Sequence, residues 1–365
     1  MTNLECLRGA AAPKSHNART IAALTTNPGC SRRAVMDAAG IDKERLASHV
    51  GFPARFGQSQ FAITRGNVFE AQLKANGCAE LLRLLREVLA LPIGAAAYDD
   101  LESVNQLDAR ADRSRELLTR AADGDEDAGT LFDHPLLRLE VGGRWVYLEP
   151  DLIALQFGGK FYVVEIKSFA VIDGKADGTK VSAAATQSAV YVLAMRRLLA
   201  EAGYDPGLVS HDVVLVCPEN FSNRPVATLV DVRKKLSVLE RQLARMGRID
   251  AIVDGLSPSL TFDLQVDDAG VPQRPVAELV DGMGQIDARY SPECLANCEL
   301  AFFCRHEARG STAALGKSVR EELGGVSSVS HALSLASGAV PPAEDEIEAA
   351  EMLRFAAKLR SECLS

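Results

Sequence analysis

The chain predicts an α/β fold, a central mixed sheet flanked by helices, and three stretches carry that reading. LLRLEVGGRWVYLEP (136–150) places strand-forming residues on both sides of Gly142-Gly143, the pattern of a hairpin. HDVVLVCP (211–218) is a short continuous apolar run, typical of a strand buried on both faces. Between them, AAATQSAVYVLAMRRLLAEA (183–202) reads as a helix. Strand, helix and strand in that order pack helices against a sheet.

The elements follow along the chain. Residues 1–24 read as a flexible N-terminal segment. TTNPGCSRRAVMDAAG (25–40) has turn chemistry at Asn27-Pro28-Gly29 and then a helical pattern through Val35, Met36 and Ala39. Asn67–Ala75 reads as a helix capped near Gly77, and CAELLRLLREVLAL (78–91) as a second with a broad apolar face. Residues 95–130 turn charged and read as an inserted helix and an acidic loop. Strands follow at the hairpin, at DLIAL and at FYVVEIKSF. After the 211–218 strand, VATLVDVRKKLSVLERQLARMGRIDAIV reads as a brief strand and one long helix. Residues 25–310 are expected to form one domain and 311–365 a C-terminal helical region of about three helices.

The 365 residues are 47% hydrophobic, 24% charged and 5% aromatic, so a large aliphatic core is expected. No apolar run approaches the roughly 20 residues that span a bilayer. The opening residues lack the apolar block of a secretory signal. A cytoplasmic protein with no membrane partner is expected. A net charge of −9 argues against a general coat for nucleic acid but leaves room for a local basic path. Arg32-Arg33, Arg196-Arg197 and Lys234-Lys235 are candidates for one, although each pair alone reads as a solvated helix face.

In FYVVEIKSF, residues two apart share a face, so Val163, Glu165 and Lys167 lie together. Burying Glu165 and Lys167 costs several kcal/mol unless each has a partner. Asp151 opens the preceding strand. A two-residue turn at Gly158-Gly159 would put Asp151 on the wrong face. A three-residue loop over Phe157–Gly159, with Gly159 left-handed, sets Asp151 opposite Glu165; this connection, or a bulge with the same effect, is expected. Two such carboxylates repel without a cation, and hard oxygen ligands suit Mg²⁺ or Mn²⁺. Such an ion acidifies bound water and absorbs charge on a phosphodiester. The alternative is an ordinary hairpin with an exposed face of Asp, Glu and Lys.

The eight cysteines are too few for a disulfide scaffold, yet Cys294, Cys298 and Cys304 cluster as C-x3-C-x5-C. A soft-metal site needs a fourth thiolate, and Cys30 is the candidate. Zinc is one possible occupant. His306 is a competing ligand. Cys217 reads as core and Cys78 as helix packing.

Pro150-Asp151 followed after 13 residues by Glu165-Ile166-Lys167 resembles the PD-(D/E)XK nuclease signature. GNVFE, with Gly66 and Glu70, and QSAVY, with Gln187 and Tyr191, resemble further motifs of its RecB-like branch. The four motifs span Gly66 to Tyr191. The cysteines bracket them as in the iron–sulfur members, the CRISPR-associated RecB-like exonuclease and AddB types, with x3 where that family usually has x2. The resemblance implies a restriction-endonuclease-like sheet with additional terminal helices. It implies Glu70, Asp151, Glu165 and the Ile166 carbonyl as ligands of Mg²⁺ or Mn²⁺. It makes Lys167 the residue that orients or activates water, with Gln187 and Tyr191 holding DNA or that lysine. It also implies a 4Fe–4S cluster on Cys30, Cys294, Cys298 and Cys304 that pins the ends of the domain together.

The expected function is therefore a DNA nuclease acting on single strands or ends, in DNA processing or anti-phage defence. An RNA nuclease, or a non-cleaving subunit that binds nucleic acid or a partner, is the alternative. The helices after Gly310 are expected to cap the domain, with docking of a protein partner as the alternative.

Overall fold

The computed structural model describes residues 3–54, 60–90, 97–103, 106–125, 131–154, 159–220, 222–246 and 249–364. In chain order the helices are α1 (Asn3–Arg8), α2 (Ala18–Leu24), α3 (Ser31–Ala39), α4 (Lys43–His49), α5 (Gln60–Leu89), α6 (Leu107–Ala122) and α7 (Gly178–Glu201). They continue with α8 (Arg233–Met246), α9 (Asp250–Val253), α10 (Val276–Gly284), α11 (Ala301–Glu307), α12 (Lys317–Glu322), α13 (Val329–Ser337) and α14 (Ile347–Leu364). The strands are β1 (Tyr98–Asp100), β2 (Leu131–Asp133), β3 (Leu137–Val141), β4 (Arg144–Leu148), β5 (Leu152–Ala154), β6 (Tyr162–Ile166), β7 (Asp212–Pro218) and β8 (Pro225–Asp231).

The chain divides into two compact units. One comprises Lys14–Thr25 and Gly57–Ala251, the other Met1–Pro13, Thr26–Phe56 and Ile252–Ser365. Residues 25–310, expected as one domain, therefore fall in both.

The first unit holds a mixed six-stranded sheet in the order β1-β2-β5-β6-β7-β8, with β3 and β4 paired as a separate hairpin. β6 and β7 run parallel and are joined through α7, as the strand–helix–strand order predicts. Alternation along the strands gives the sheet two apolar faces. Leu152, Val164, Ile166, Val214 and Val216 pack with Phe69, Leu73, Leu81 and Leu85 of α5. Leu215 and Cys217 face the other way and pack with Ala184 of α7. β7 is buried from Val213 to Pro218, as its unbroken apolar run requires.

The hairpin expected around Gly142-Gly143 is β3–β4, and both glycines have positive φ, 58° and 75°. α5 is interrupted at Ala75, Asn76, Gly77 and Cys78, the last three left-handed. The stop near Gly77 was legible, but Cys78 lies at the break and not inside a helix. Three readings change. Residues 3–8 and 18–24, expected to be loose, form α1 and α2, because Ile21, Ala23 and Leu24 bury an apolar face. The charged stretch near 95–130 contributes the edge strand β1, parallel to β2, as well as helix α6. Residues 126–130 of its acidic loop lie outside the described residues. The long helix after 225 is two helices, α8 and α9, preceded by a seven-residue strand.

In the second unit α1 carries Leu7, whose carbonyl accepts the Phe262 amide at 2.7 Å. Arg32 and Arg33 of α3 are only 3% and 5% exposed, which removes them from any surface basic path. α12, α13 and α14 are the helices expected after residue 310. Among the described residues, no helix is long and apolar enough to cross a membrane.

Candidate active site

The β5–β6 register pairs Leu152 with Val164 and Ile153 with Val163, and one step further it sets Asp151 opposite Glu165. This is the register expected of a three-residue connection. Gly159 has the expected positive φ of 75°. Residues 155–158, which include most of that turn, lie outside the described residues.

Asp151 Oδ2 accepts the Ile166 amide at 2.8 Å. The amide and carbonyl of one strand residue point to the same side, so the Ile166 carbonyl is also directed toward Asp151. Glu165 is fully buried, points to the α7 side of the sheet and accepts from Ser188 Oγ at 3.4 Å. Its Oε1 pairs with the Lys167 ammonium. Burial pushes the Glu165 carboxyl up, the ammonium of Lys167 pulls it down and Asp151 pushes it up again, leaving it at about 7. Asp151 is also raised, first by loss of water. Burial disfavours the Lys167 ammonium, but the charges of Glu165 and Asp151 outweigh it and hold the proton on.

Glu70 belongs to a neighbouring cluster. Its carboxylate pairs with Lys74, one helical turn on, and stands 3.2 Å from His134 Nε2. Lys74 also pairs with Asp133, and its Nζ is 3.4 Å from the Asp151 carbonyl. His134 Nδ1 meets Glu149 Oε1 at 3.0 Å. Burial disfavours the Glu70 carboxylate, but hydrogen bonds from His134 and Lys74 outweigh that and hold it down at about 2. Hydrogen bonds to Glu149 and Glu70 hold His134 up at about 10. The His134 backbone is left-handed, φ 47°, and its carbonyl accepts Arg110 Nε at 3.0 Å. Lys74, His134 and Arg110 thus balance Glu70, Asp133 and Glu149.

The structure therefore groups Asp151, Glu165, Ile166 and Lys167, with Glu70 paired to Lys74 and His134 yet near enough for its charge to act on Asp151 and Lys167. The reason is the sheet: α5 covers the face of Leu152, Val164 and Ile166, whereas Glu165 points to α7. Among the described residues, the groups of three or more candidate ligand atoms mutually within 4.8 Å are Glu70/Asp133/His134 and His211/Asp212/Asp231. Asp231 of the latter is already engaged by Arg233. The sets Glu70/Asp151/Glu165 and Cys30/Cys294/Cys298/Cys304 are spaced more widely.

Gln187 Nε2 donates to the Tyr191 hydroxyl at 3.0 Å, so the i, i+4 pair bonds to itself. Tyr191 is buried, and loss of water followed by the charge of Glu165 raises its phenol. Lys74, Asp133, His134, Glu149 and Ser188 were not singled out in the sequence. Lys74 had a signal, four residues after Glu70 on a helix. Asp133 and His134 had none, because the α5–β2 proximity that gives them meaning is tertiary.

The cysteines gather in the second unit. Cys294, Cys298 and Cys304 are 8%, 7% and 8% exposed, and Cys30 is the N-terminal flank of α3. Each buried sulfur meets a donor or a cation. Asn27 Nδ2 donates to Cys294 Sγ at 3.2 Å and Arg32 Nη1 to Cys304 Sγ at 3.3 Å. Burial pushes the Cys298 thiol up to about 12, opposed by Arg33 and Lys43. Burial pushes Cys304 up to about 11, opposed by Arg32, while nearby Cys30 adds to the rise. His306 is exposed and stacks near Phe52, ring centroids 5.0 Å apart.

No protein-family model matches this chain, and no curated protein does either. A solved structure described as "Crystal structure of SSO0001" aligns with a TM-score of 0.25 and 13% identity, covering 67% of this chain and 82% of that one. At that similarity neither a shared fold nor a shared function follows.

Proposed function

We propose that this protein is a metal-dependent DNA nuclease of the PD-(D/E)XK kind with a RecB-like, restriction-endonuclease-like core, acting on single strands or ends. The observation that carries the reading is Asp151 set opposite the fully buried Glu165, with Lys167 beside them. Besides burial, the charge of Asp151 raises the Glu165 carboxyl, and a divalent cation would relieve it. The donor set fits such an ion: two carboxylates and the Ile166 carbonyl are hard oxygens, and Asp151 is partly open to solvent. Mg²⁺ or Mn²⁺ held there would acidify a bound water and absorb charge on the phosphodiester. Lys167 orients that water or the phosphate. Glu70 joins the ligands only by leaving Lys74 and His134.

The cysteine site fits a soft metal. Four sulfurs share one unit, and Arg32, Arg33 and Lys43 lie buried around them. The resemblance implies a 4Fe–4S cluster there, with zinc as the alternative occupant. None of the eight cysteines is in a disulfide, which suits a reducing setting. The cluster's role is structural.

The test is cleavage of labelled linear and circular DNA, and of RNA, by anaerobically purified protein with Mn²⁺ or EDTA, beside Glu165→Ala/Lys167→Ala. Metal-dependent cutting lost in the double variant is the expected result. No metal-dependent cleavage of any substrate sinks the reading. A second reading, a subunit that binds nucleic acid without cutting, is favoured by one observation: Lys167 and Lys74 already neutralise Glu165 and Glu70. RNA cleavage without DNA cleavage would move the substrate class and leave the chemistry.

A further inference from the structure

Helix α14 has two apolar faces, and only one is covered. Ala350, with Leu353 beside it, packs against Ala332 and Leu335 of α13. On the far side of the helix, Met352, Phe355 and Leu359 are 40%, 63% and 45% exposed. Spacings of three and four residues align them in a single stripe. α13 is only nine residues long against eighteen in α14, so it covers one half of its neighbour. Every residue from 354 to 364 is exposed. A helical stretch shorter than about 12 residues is marginal in water without packing. This half of α14 therefore calls for a cover that its own unit does not supply.

The charges say what the cover is. Glu351 and Lys358, one heptad apart, flank the same edge of the stripe. The start of the helix and the turn before it are acidic, with Glu344, Asp345, Glu346 and Glu348. The later part carries Arg354, Lys358 and Arg360. Lys358 Nζ stands 4.0 Å from Glu362 Oε1, with 73% of its side chain exposed. An antiparallel copy of α14 would bring each Glu351 beside the Lys358 of its partner, twice by symmetry, and would oppose the helix dipoles. A parallel copy would set those charges against Ala356 and Cys363. Two-fold pairing uses the same patch on both chains and closes at two.

We infer that α14 is a self-association helix: two copies of this chain pair antiparallel through their Met352–Phe355–Leu359 stripes, with Glu351–Lys358 bridges on the flank. This does not depend on what the nuclease-like unit does.

The test is light scattering and sedimentation of the full chain from about 1 to about 100 μM. The mass should rise from one chain, 39.1 kDa, to two. Phe355→Glu should hold it at one chain throughout. Phe355 is exposed, so the variant keeps its fold and loses at most the helical circular dichroism of the second half of α14. Glu351→Lys or Lys358→Glu alone should weaken pairing by about three- to tenfold at low salt. Glu351→Lys/Lys358→Glu together should restore it. A chain that stays monomeric at about 100 μM, a dimer indifferent to Phe355→Glu, or a charge swap that fails to restore pairing each overturns the inference.

Discussion

Asp151 accepts the Ile166 amide at 2.8 Å at the position where the ladder sets it opposite Glu165. That bond fixes one carboxylate oxygen. Asp151→Asn keeps an acceptor for the amide and removes the charge. The fold should survive, whereas Mn²⁺ binding by calorimetry should weaken at least tenfold. Cleavage should fall by about 10²-fold or more. Cleavage within twofold of the parent would remove Asp151 from the chemistry.

Glu165 gives the site its pH dependence. Its folded pKa of about 7 lies above the ordinary 4.5, so the folded state holds its proton more tightly across that window. Metal-free protein should therefore gain stability from this group as pH falls from 7 to 4.5. Glu70, held at about 2, acts the other way, and its contribution is lost as pH falls from 4.5 toward 2. His134, raised from 6.5 to about 10, contributes stability that is lost as pH rises through that window. Denaturation in EDTA should show stability declining from about pH 5 toward 10. Mn²⁺ needs Glu165 ionised, so affinity should be level above about pH 7 and drop up to tenfold per unit below it. Affinity independent of pH between 5 and 7 would contradict the assignment.

The strand alternation of FYVVEIKSF, with a connection one residue longer than a tight turn, was enough to set Asp151 opposite Glu165 from the chain alone. Periodicity and turn chemistry are local, and so were the hairpin at Gly142-Gly143 and the buried run of β7. Glu70 was different. Its helix spacing was visible, but which face of the sheet α5 would cover was not. That choice draws Glu70 to Asp133 and His134, 63 and 64 residues on in the chain. Arg32-Arg33 misled for the same reason: a basic pair looks alike in water and against Glu307 and Asp37.

Lys74 is the ammonium that joins Glu70 to Asp133, and its side chain and that of Asp133 are 12% and 6% exposed. Lys74→Met leaves the Asp133 charge buried without its ammonium. Breaking a buried pair from one side costs about 3 kcal/mol or more. Lys74→Met/Asp133→Asn should recover part of that loss, because neither charge is then left alone. Urea denaturation of the four proteins measures the coupling. Additive losses would show that Lys74 and Asp133 do not support one another.

Cys298 and Cys304 would stay protonated in metal-free protein, since burial raises them to about 12 and 11. The buried Arg33 and Lys43 beside Cys298, and Arg32 beside Cys304, are better matched to thiolates than to thiols. A metal that removes the protons turns these contacts from loosely polar to ionic. Protein purified without oxygen should therefore be brown, with absorption in the blue, and contain iron and sulfide. Cys298→Ala should be colourless and poorly soluble. Zinc in place of iron would change the colour and keep the dependence on Cys298, whereas a fully folded, fully active Cys298→Ala would show that the sulfurs are packing alone.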